Sequence, residues 1–437
     1  MSLSKIIFLF LLLPICSFGQ GWLPVGGGFD QSVYVFLNDS ANNRLFAGGH
    51  FDTADSKPCS HIAQWNGTNW DTVGTGLSNG FVRALAFYNG QLYAGGSFTK
   101  AGNKTRKFFT KWNGVSWDSL DFTSGNCNIQ CFKNYNGELY VGGGFANASG
   151  FPVHNIARFN GSHWDSLRSG TNYVVYTMAV YNNELYAGGL FDSVGGFPAK
   201  YIAKWNGTGW APVGSGMNNS VFALAVHSGK LFAGGAFTSA GGNSASHLAA
   251  WDGSSWTDVG GGTNNLVTAL FSYNGNLIAG GLFTQAGGNA VNNIAGWNGS
   301  GWFSIGGVNN GVNVFAEYNG ALFTGGQFTQ SGTQTVNYVA QWNGAVGINN
   351  FNDEKKIVNI YPNPFYNSAT VEVIGTGAED RILSMRIYDL MGIECYGNCI
   401  ATPSGFIIRK NRLAPGMYFY EIRSAVGLIA KGKFMIR

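Results

Sequence analysis

A Gly-Gly doublet recurs seven times along this chain of 437 residues, opening at Gly48, Gly95, Gly142, Gly188, Gly234, Gly280 and Gly325 in steps of 47, 47, 46, 46, 46 and 45 residues. A period near 46 points to a repeat architecture, in which each copy buries its apolar face only against its neighbours. A second series keeps the same phase: an aromatic residue followed by Asn-Gly or Asp-Gly at Trp65, Trp112, Phe159, Trp205, Trp251, Trp297 and Trp342. Paired glycines in mid-copy disfavour helix. The 66 Gly, about twice the usual share, and 15% aromatic residues describe β structure that buries area through rings.

Residues 82–120 show the content of one copy. Val82 to Tyr88, the Asn89-Gly90 turn, Gln91 to Phe98, a longer loop, Phe108 to Trp112, the Asn113-Gly114 turn and Ser116 to Leu120 predict four strands. Asn-Gly between apolar runs signals a type I′ hairpin, which needs positive φ at both central residues. Four antiparallel strands per copy describe a propeller blade. The seventh copy stops after Trp342-Asn343-Gly344, without the second Trp that the others carry at Trp70, Trp117, Trp164, Trp210, Trp256 and Trp302. Gly21-Trp22-Leu23-Pro24-Val25-Gly26 matches Gly209-Trp210-Ala211-Pro212-Val213-Gly214 and supplies the missing strand. The expected fold is therefore all-β: a seven-bladed β-propeller of four-stranded blades over residues 20–346, closed by the N-terminal strand.

The doublets and tryptophans resemble kelch repeats, and the resemblance is partial. Here each doublet leads to a Phe (Phe98, Phe145, Phe191, Phe237, Phe283, Phe328) instead of the kelch Tyr and Trp spacing. It implies a propeller and no particular activity.

Residues 1–19 read as a signal peptide: Lys5 precedes an apolar run from Ile6 to Ile15, too short for a transmembrane helix, and Ser17 and Gly19 stand at cleavage spacing. No later stretch is apolar for long enough to span a bilayer, so a mature chain without a transmembrane segment is expected. After Asn350 the tryptophans and doublets stop, and Asp353-Glu354-Lys355-Lys356 marks a linker, taken as 347–355. Beyond it come Ile360-Tyr361-Pro362-Asn363-Pro364-Phe365, Met385-Arg386-Ile387-Tyr388-Asp389-Leu390-Met391-Gly392, Leu413-Ala414-Pro415-Gly416-Met417-Tyr418-Phe419-Tyr420 and Lys431-Gly432-Lys433-Phe434-Met435-Ile436. These motifs, in this order, resemble the type A C-terminal sorting domain of the type IX secretion system, over residues 356–437. The resemblance implies a small β-sandwich, partnership with the type IX machinery and a sortase-like peptidase, and a secreted or outer-membrane-surface location in a Gram-negative bacterium.

A net charge of +4 on a chain of this size gives no field strong enough to argue for a nucleic-acid partner, because phosphate binding needs clustered Lys and Arg. Glu138, Glu184, Asp71, Asp118 and Asp165 occupy repeat slots, and Glu317 lacks the acidic partner that a two-carboxylate glycosidase needs. His61, His154 and His247 read as loop-edge hydrogen bonders, and no cofactor or metal site is expected. Cys395 with Cys399 and Cys127 with Cys131 are candidate disulfides in an exported chain. These features favour a non-catalytic module that binds or adheres to a glycan or protein; a secreted glycosidase or lyase is the alternative. Binding is expected on the face bearing the blade connections and the loops between second and third strands. There Asn218, Asn219, Asn264, Asn265, Asn309 and Asn310 offer amides, and Phe197, like Phe151, offers a ring.

Overall fold

The computed structural model describes residues 21–344 and 357–437, excepting 103, 106, 120–121, 123–126, 375–381, 390–393, 396–397, 403–404, 412 and 425–426. The signal segment 1–19 and the linker 347–355 lie outside the described residues, as do residues 20 and 345–346. The described residues are all β, without a helix. The chain divides into two compact units, Met1–Ile348 and Asn349–Arg437.

The first unit contains seven four-stranded antiparallel sheets. The second sheet is built from Val82–Tyr88, Gln91–Gly96, Phe109–Trp112 and Trp117–Ser119, following the sequence pattern within two residues at each end. Asn89 and Gly90 have φ of 47° and 74°, the paired positive values that the two-residue turn requires. The other Asn-Gly turn differs from expectation. Of that pair only Gly114 has positive φ, and Asn113 instead uses its side-chain oxygen to accept from the Val115 and Ser116 NH groups at 2.9 and 2.8 Å. It is an Asx turn, in which a short polar side chain satisfies the backbone donors. A further departure is a small hairpin inside the predicted long loop, such as Ser193–Val194 with Phe197–Pro198.

Packing between sheets explains both sequence markers. A Cβ on Gly48 would lie 2.5 Å from Val82 Cγ1 of the next sheet, and one on Gly325 would lie 2.7 Å from Val33 Cγ1 of the first. Only glycine permits that approach. The two aromatic slots pair across the third and fourth strands, with centroids 5.3 Å apart for Trp65–Trp70 and 5.2 Å for Trp251–Trp256. The second tryptophan also reaches the preceding sheet: Trp256 Nε1 donates to Val213 O and Trp302 Nε1 to Val259 O, each at 3.0 Å. Trp22–Pro24 joins the seventh sheet by antiparallel pairing with Trp342, Gln341 and Ala340. That sheet contacts the first through Tyr318 Oη donating to Asn43 O at 3.0 Å and Asn38 Nδ2 donating to Glu317 O at 2.7 Å.

The second unit has a four-stranded sheet (Ile357–Tyr361, Ser368–Ile374, Gly405–Arg409, Cys399–Thr402) and a three-stranded one (Ile382–Tyr388, Gly416–Ser424, Gly427–Ile436). Val371, Phe406 and Ile408 from the first share one buried cluster with Ile387, Ile422 and Phe434 from the second.

Neither candidate disulfide is formed: Cys127, Cys131 and Cys399 each carry a free thiol. Cys131 lies in the extended strand Asn128–Tyr135 and Cys127 just precedes it. Four extended residues span roughly 13 Å, about twice the reach of a disulfide. Cys395 donates its NH to Ile387 O of the three-stranded sheet, whereas Cys399 pairs with Ile408 in the other sheet. Burial pushes the Cys127, Cys131 and Cys399 thiols up to about 12 each.

Candidate functional site

A fully buried Val or Ile stands at or next to the start of each innermost strand of the seven sheets: Val33, Val82, Ile129, Val175, Val221, Val267 and Val312. That residue pairs with the second glycine of its doublet, as Val82 does with Gly96, and the next residue but one pairs with the first, as Ala84 does with Gly95. One residue is left over in every sheet, which defines a β-bulge. The second glycine makes this possible, since a Cβ on Gly96 would lie 1.9 Å from Phe81 O. The seven extra residues are Tyr34, Arg83, Gln130, Tyr176, Phe222, Thr268 and Asn313, and together they line one cavity of about 360 Å³. A bulge re-aims a side chain, and here seven bulges aim one residue each at a common space.

The cavity wall is partly preset. The Arg83 guanidinium carbon sits 4.2 Å from the Tyr34 ring centroid and 5.7 Å from that of Phe81. Arg83 Nε is buried without a hydrogen-bond partner. Burial pulls this guanidinium below its usual range, against the attraction of Tyr34 and Tyr176. Tyr176 and Phe222 are tilted neighbours with centroids 5.4 Å apart. Asn313 Nδ2 donates to Val33 O at 2.9 Å, and Thr268 Oγ1 donates to Val312 O. None of the seven lining residues is acidic.

Of the residues expected to bind ligand, Asn218, Asn264 and Asn309 are exposed but already committed. Asn264 Oδ1 accepts from the Thr284 and Gln285 NH groups at 2.9 and 3.0 Å while its Nδ2 donates to Thr284 Oγ1 at 2.9 Å. Asn218 does the same with Thr238 and Ser239, and Asn309 with Thr329 and Gln330. These amides tie each connection to the following loop. Asn219, Asn265 and Asn310 are exposed, and the side-chain oxygen of each accepts the NH of the next residue. Phe197 is 67% exposed and Phe151 60%, at the tips of loop hairpins. None of these lines the central cavity. Two outer grooves of about 620 and 430 Å³ repeat at equivalent places between consecutive sheets, lined by Asn172 and Ser193 in one and by Asn218 and Ser239 in the other. Their polar side chains largely hold loops, so the central cavity is the stronger candidate.

Glu317 is exposed at the far end of its strand. His61, His154 and His247 each place Nδ1 against a backbone carbonyl, of Phe51, Ser169 and Gly235 at 3.0, 3.2 and 3.3 Å. Among the described residues no group of three His, Cys, Asp or Glu is placed to hold a metal.

Residues 23–169 match the family model for the Rax2 C-terminal beta propeller domain, and residues 359–437 match that for the secretion system C-terminal sorting domain. The chain is type IX secretion cargo with a propeller domain; its C-terminal domain engages the secretion machinery and marks it for secretion or the cell surface. A search of the curated proteins finds no match. Among solved structures, the chain is similar to the extracellular domain described for a hybrid two-component system of B. thetaiotaomicron, at 10% identity and a TM-score of 0.47. The likeness covers 93% of this chain and 55% of that one, so this chain spans about half its length. No helix of the described residues is long and apolar enough to cross a membrane.

Proposed function

We propose that residues 20–346 are one seven-bladed β-propeller closed by the Trp22–Pro24 strand and that it works as a non-catalytic binding module outside the cell, its ligand a glycan or a protein. On this reading residues 1–19 are removed on export, 347–355 are a linker, and the sandwich-like residues 356–437 are cut off by a sortase-like peptidase at the Gram-negative outer membrane. The observation that carries the binding role is the central cavity, to which every sheet contributes one bulged residue. The seven side chains differ in chemistry while the backbone around them repeats. A purely structural slot would repeat its side chain, as the tryptophan slots do. The bulged residues stand near the strand ends entered from the connections, and they are not the residues expected to bind. A glycosidase acting there would need two carboxylates about 5–10 Å apart, and the lining supplies aromatic, amide, hydroxyl and guanidinium groups instead.

A glycan array probed with the purified full chain tests this. Hits weakened by Tyr176→Ala and Phe222→Ala support the reading. Release of reducing ends from a bound polysaccharide overturns it in favour of an enzyme.

A further inference from the structure

We propose that the central cavity binds a small hydroxylated carboxylate of the uronic-acid class, with Arg83 holding the carboxylate. This rests on the binding-module reading and names the ligand class of that same cavity.

Arg83 is a pre-positioned donor. Tyr34 and Phe81 lie 4.2 and 5.7 Å from its guanidinium carbon, which fixes the plane and leaves the N–H edge to do the binding. Its Nε is buried with no accessible surface, so the edge left for a ligand is the terminal pair. Nη1 and Nη2 form a planar fork that fits the two oxygens of a carboxylate. One cation among seven lining residues, with no acid, suits a single negative charge better than a doubly charged phosphate.

The rest of the lining selects hydroxyl groups and a ring. Thr268 spends its hydroxyl hydrogen on Val312 O and Asn313 spends one of two Nδ2 hydrogens on Val33 O, which leaves the Thr268 oxygen and Asn313 Oδ1 as acceptors and one Asn313 N–H as a donor. Acceptors of that kind take hydroxyl donors. The Tyr176–Phe222 pair, with centroids 5.4 Å apart, offers aromatic faces to the C–H side of a sugar ring. A cavity of about 360 Å³ is in the range of small-ligand sites.

Calorimetric titration of the full chain with D-glucuronate, D-galacturonate, D-glucose and acetate tests this. At least one uronate should bind saturably, and glucose and acetate at least tenfold more weakly. Arg83→Gln should weaken the uronate tenfold or more at an unchanged melting temperature. If Arg83→Gln disturbs folding, Arg83→Lys carries the test: the charge stays, the fork goes, and uronate affinity must still fall. Glucose binding as tightly as uronate, full affinity in these variants, or no saturable uronate binding up to about 10 mM overturns the proposal. Array hits on neutral glycans or proteins that survive Arg83→Gln would leave the binding module standing and remove only this ligand class.

Discussion

Trp22 packs on Trp342 with ring centroids 5.4 Å apart and planes at 56°, so the first described strand and the last strand of the first unit share one sheet. The pair matches those of the other sheets, but one bond is missing. Trp256 Nε1 donates to Val213 O of the preceding sheet, whereas Trp22 Nε1 is buried without a partner. The joint between the first unit's first and last described strands is thus held by ring packing and strand pairing.

Removing the indole N–H should separate the two positions. Trp256→Phe strands the Val213 carbonyl and should cost about 1–3 kcal/mol, while Trp22→Phe loses no such bond and should cost less. Deleting residues 20–28 should expose the Val339–Trp342 edge and promote aggregation. Thermal melts and size-exclusion chromatography check both, and a deletion variant that stays monomeric with an unchanged melting temperature contradicts the closure.

Gly96 and Gly90 sit in one hairpin and should respond differently to alanine. A Cβ at Gly96 would meet Phe81 O at 1.9 Å, so the bulge that aims Arg83 must give way, at about 3 kcal/mol or more. At Gly90 nothing lies within 4 Å, and only its φ of 74° opposes a side chain, worth about 1–2 kcal/mol. Chemical denaturation of both variants measures the difference; equal losses would refute the bulge as the reason for the doublet.

Asp252 holds the Asx slot that Asn66, Asn113, Asn160, Asn206 and Asn298 hold in other copies. The Ser255 and Ser254 NH groups, then the Ser254 hydroxyl, hold its carboxyl below the usual carboxylate range. A folded-state pKa that is depressed adds stability above the unfolded value, near 3.9, and loses it as pH falls through the folded value. Asp252→Asn should therefore melt like the parent at pH 7 and gain on it below about pH 4. Melting curves against pH decide; parallel curves would remove Asp252 as a titrating contributor.

Passage across the outer membrane should depend on the tail. Without Ile357 to Arg437, whose motifs carry the sorting-domain match, the folded first unit should stay in the periplasm. Cell fractionation with immunodetection reads this out, and truncated protein in the medium would refute it.

The architecture was legible because its markers are steric necessities. Gly48 must lack a Cβ where Val82 approaches, and Trp65 and Trp70 must fill the same gap in each copy, so the same residue types recur. The cavity was not legible, since Tyr34, Arg83, Gln130, Tyr176, Phe222, Thr268 and Asn313 repeat no single residue type. Its trace lies in position: each follows the buried Val or Ile at or next to the start of an inner strand. A search for the most variable slot beside the most constant one would have found it. The two halves of each Asn pair were not separable in the sequence, because an amide in a loop can serve a ligand or the backbone.

The two halves of each Asn pair should therefore part company. Asn264 satisfies two loop NH groups and the Thr284 hydroxyl, a role like that of a helix N-cap, whose loss costs about 0.5–2 kcal/mol. Asn264→Ala should lower the melting temperature, and Asn218→Ala and Asn309→Ala should do the same, because each repeats this geometry. Asp30 performs the acceptor part of the role in the first copy, taking the Asp52 and Thr53 NH groups at 2.9 and 3.1 Å. Asn264→Asp should accordingly recover most of the loss. Asn265, which is exposed and whose side-chain oxygen accepts the Leu266 NH at 2.8 Å, should tolerate alanine within about 0.5 kcal/mol. Neither set lines the central cavity, so ligand affinity of the folded variants should match the parent. Melting and binding measured on the same samples separate the roles. Lost affinity at full stability in Asn219→Ala, Asn265→Ala or Asn310→Ala would move the binding site from the cavity to the outer rim.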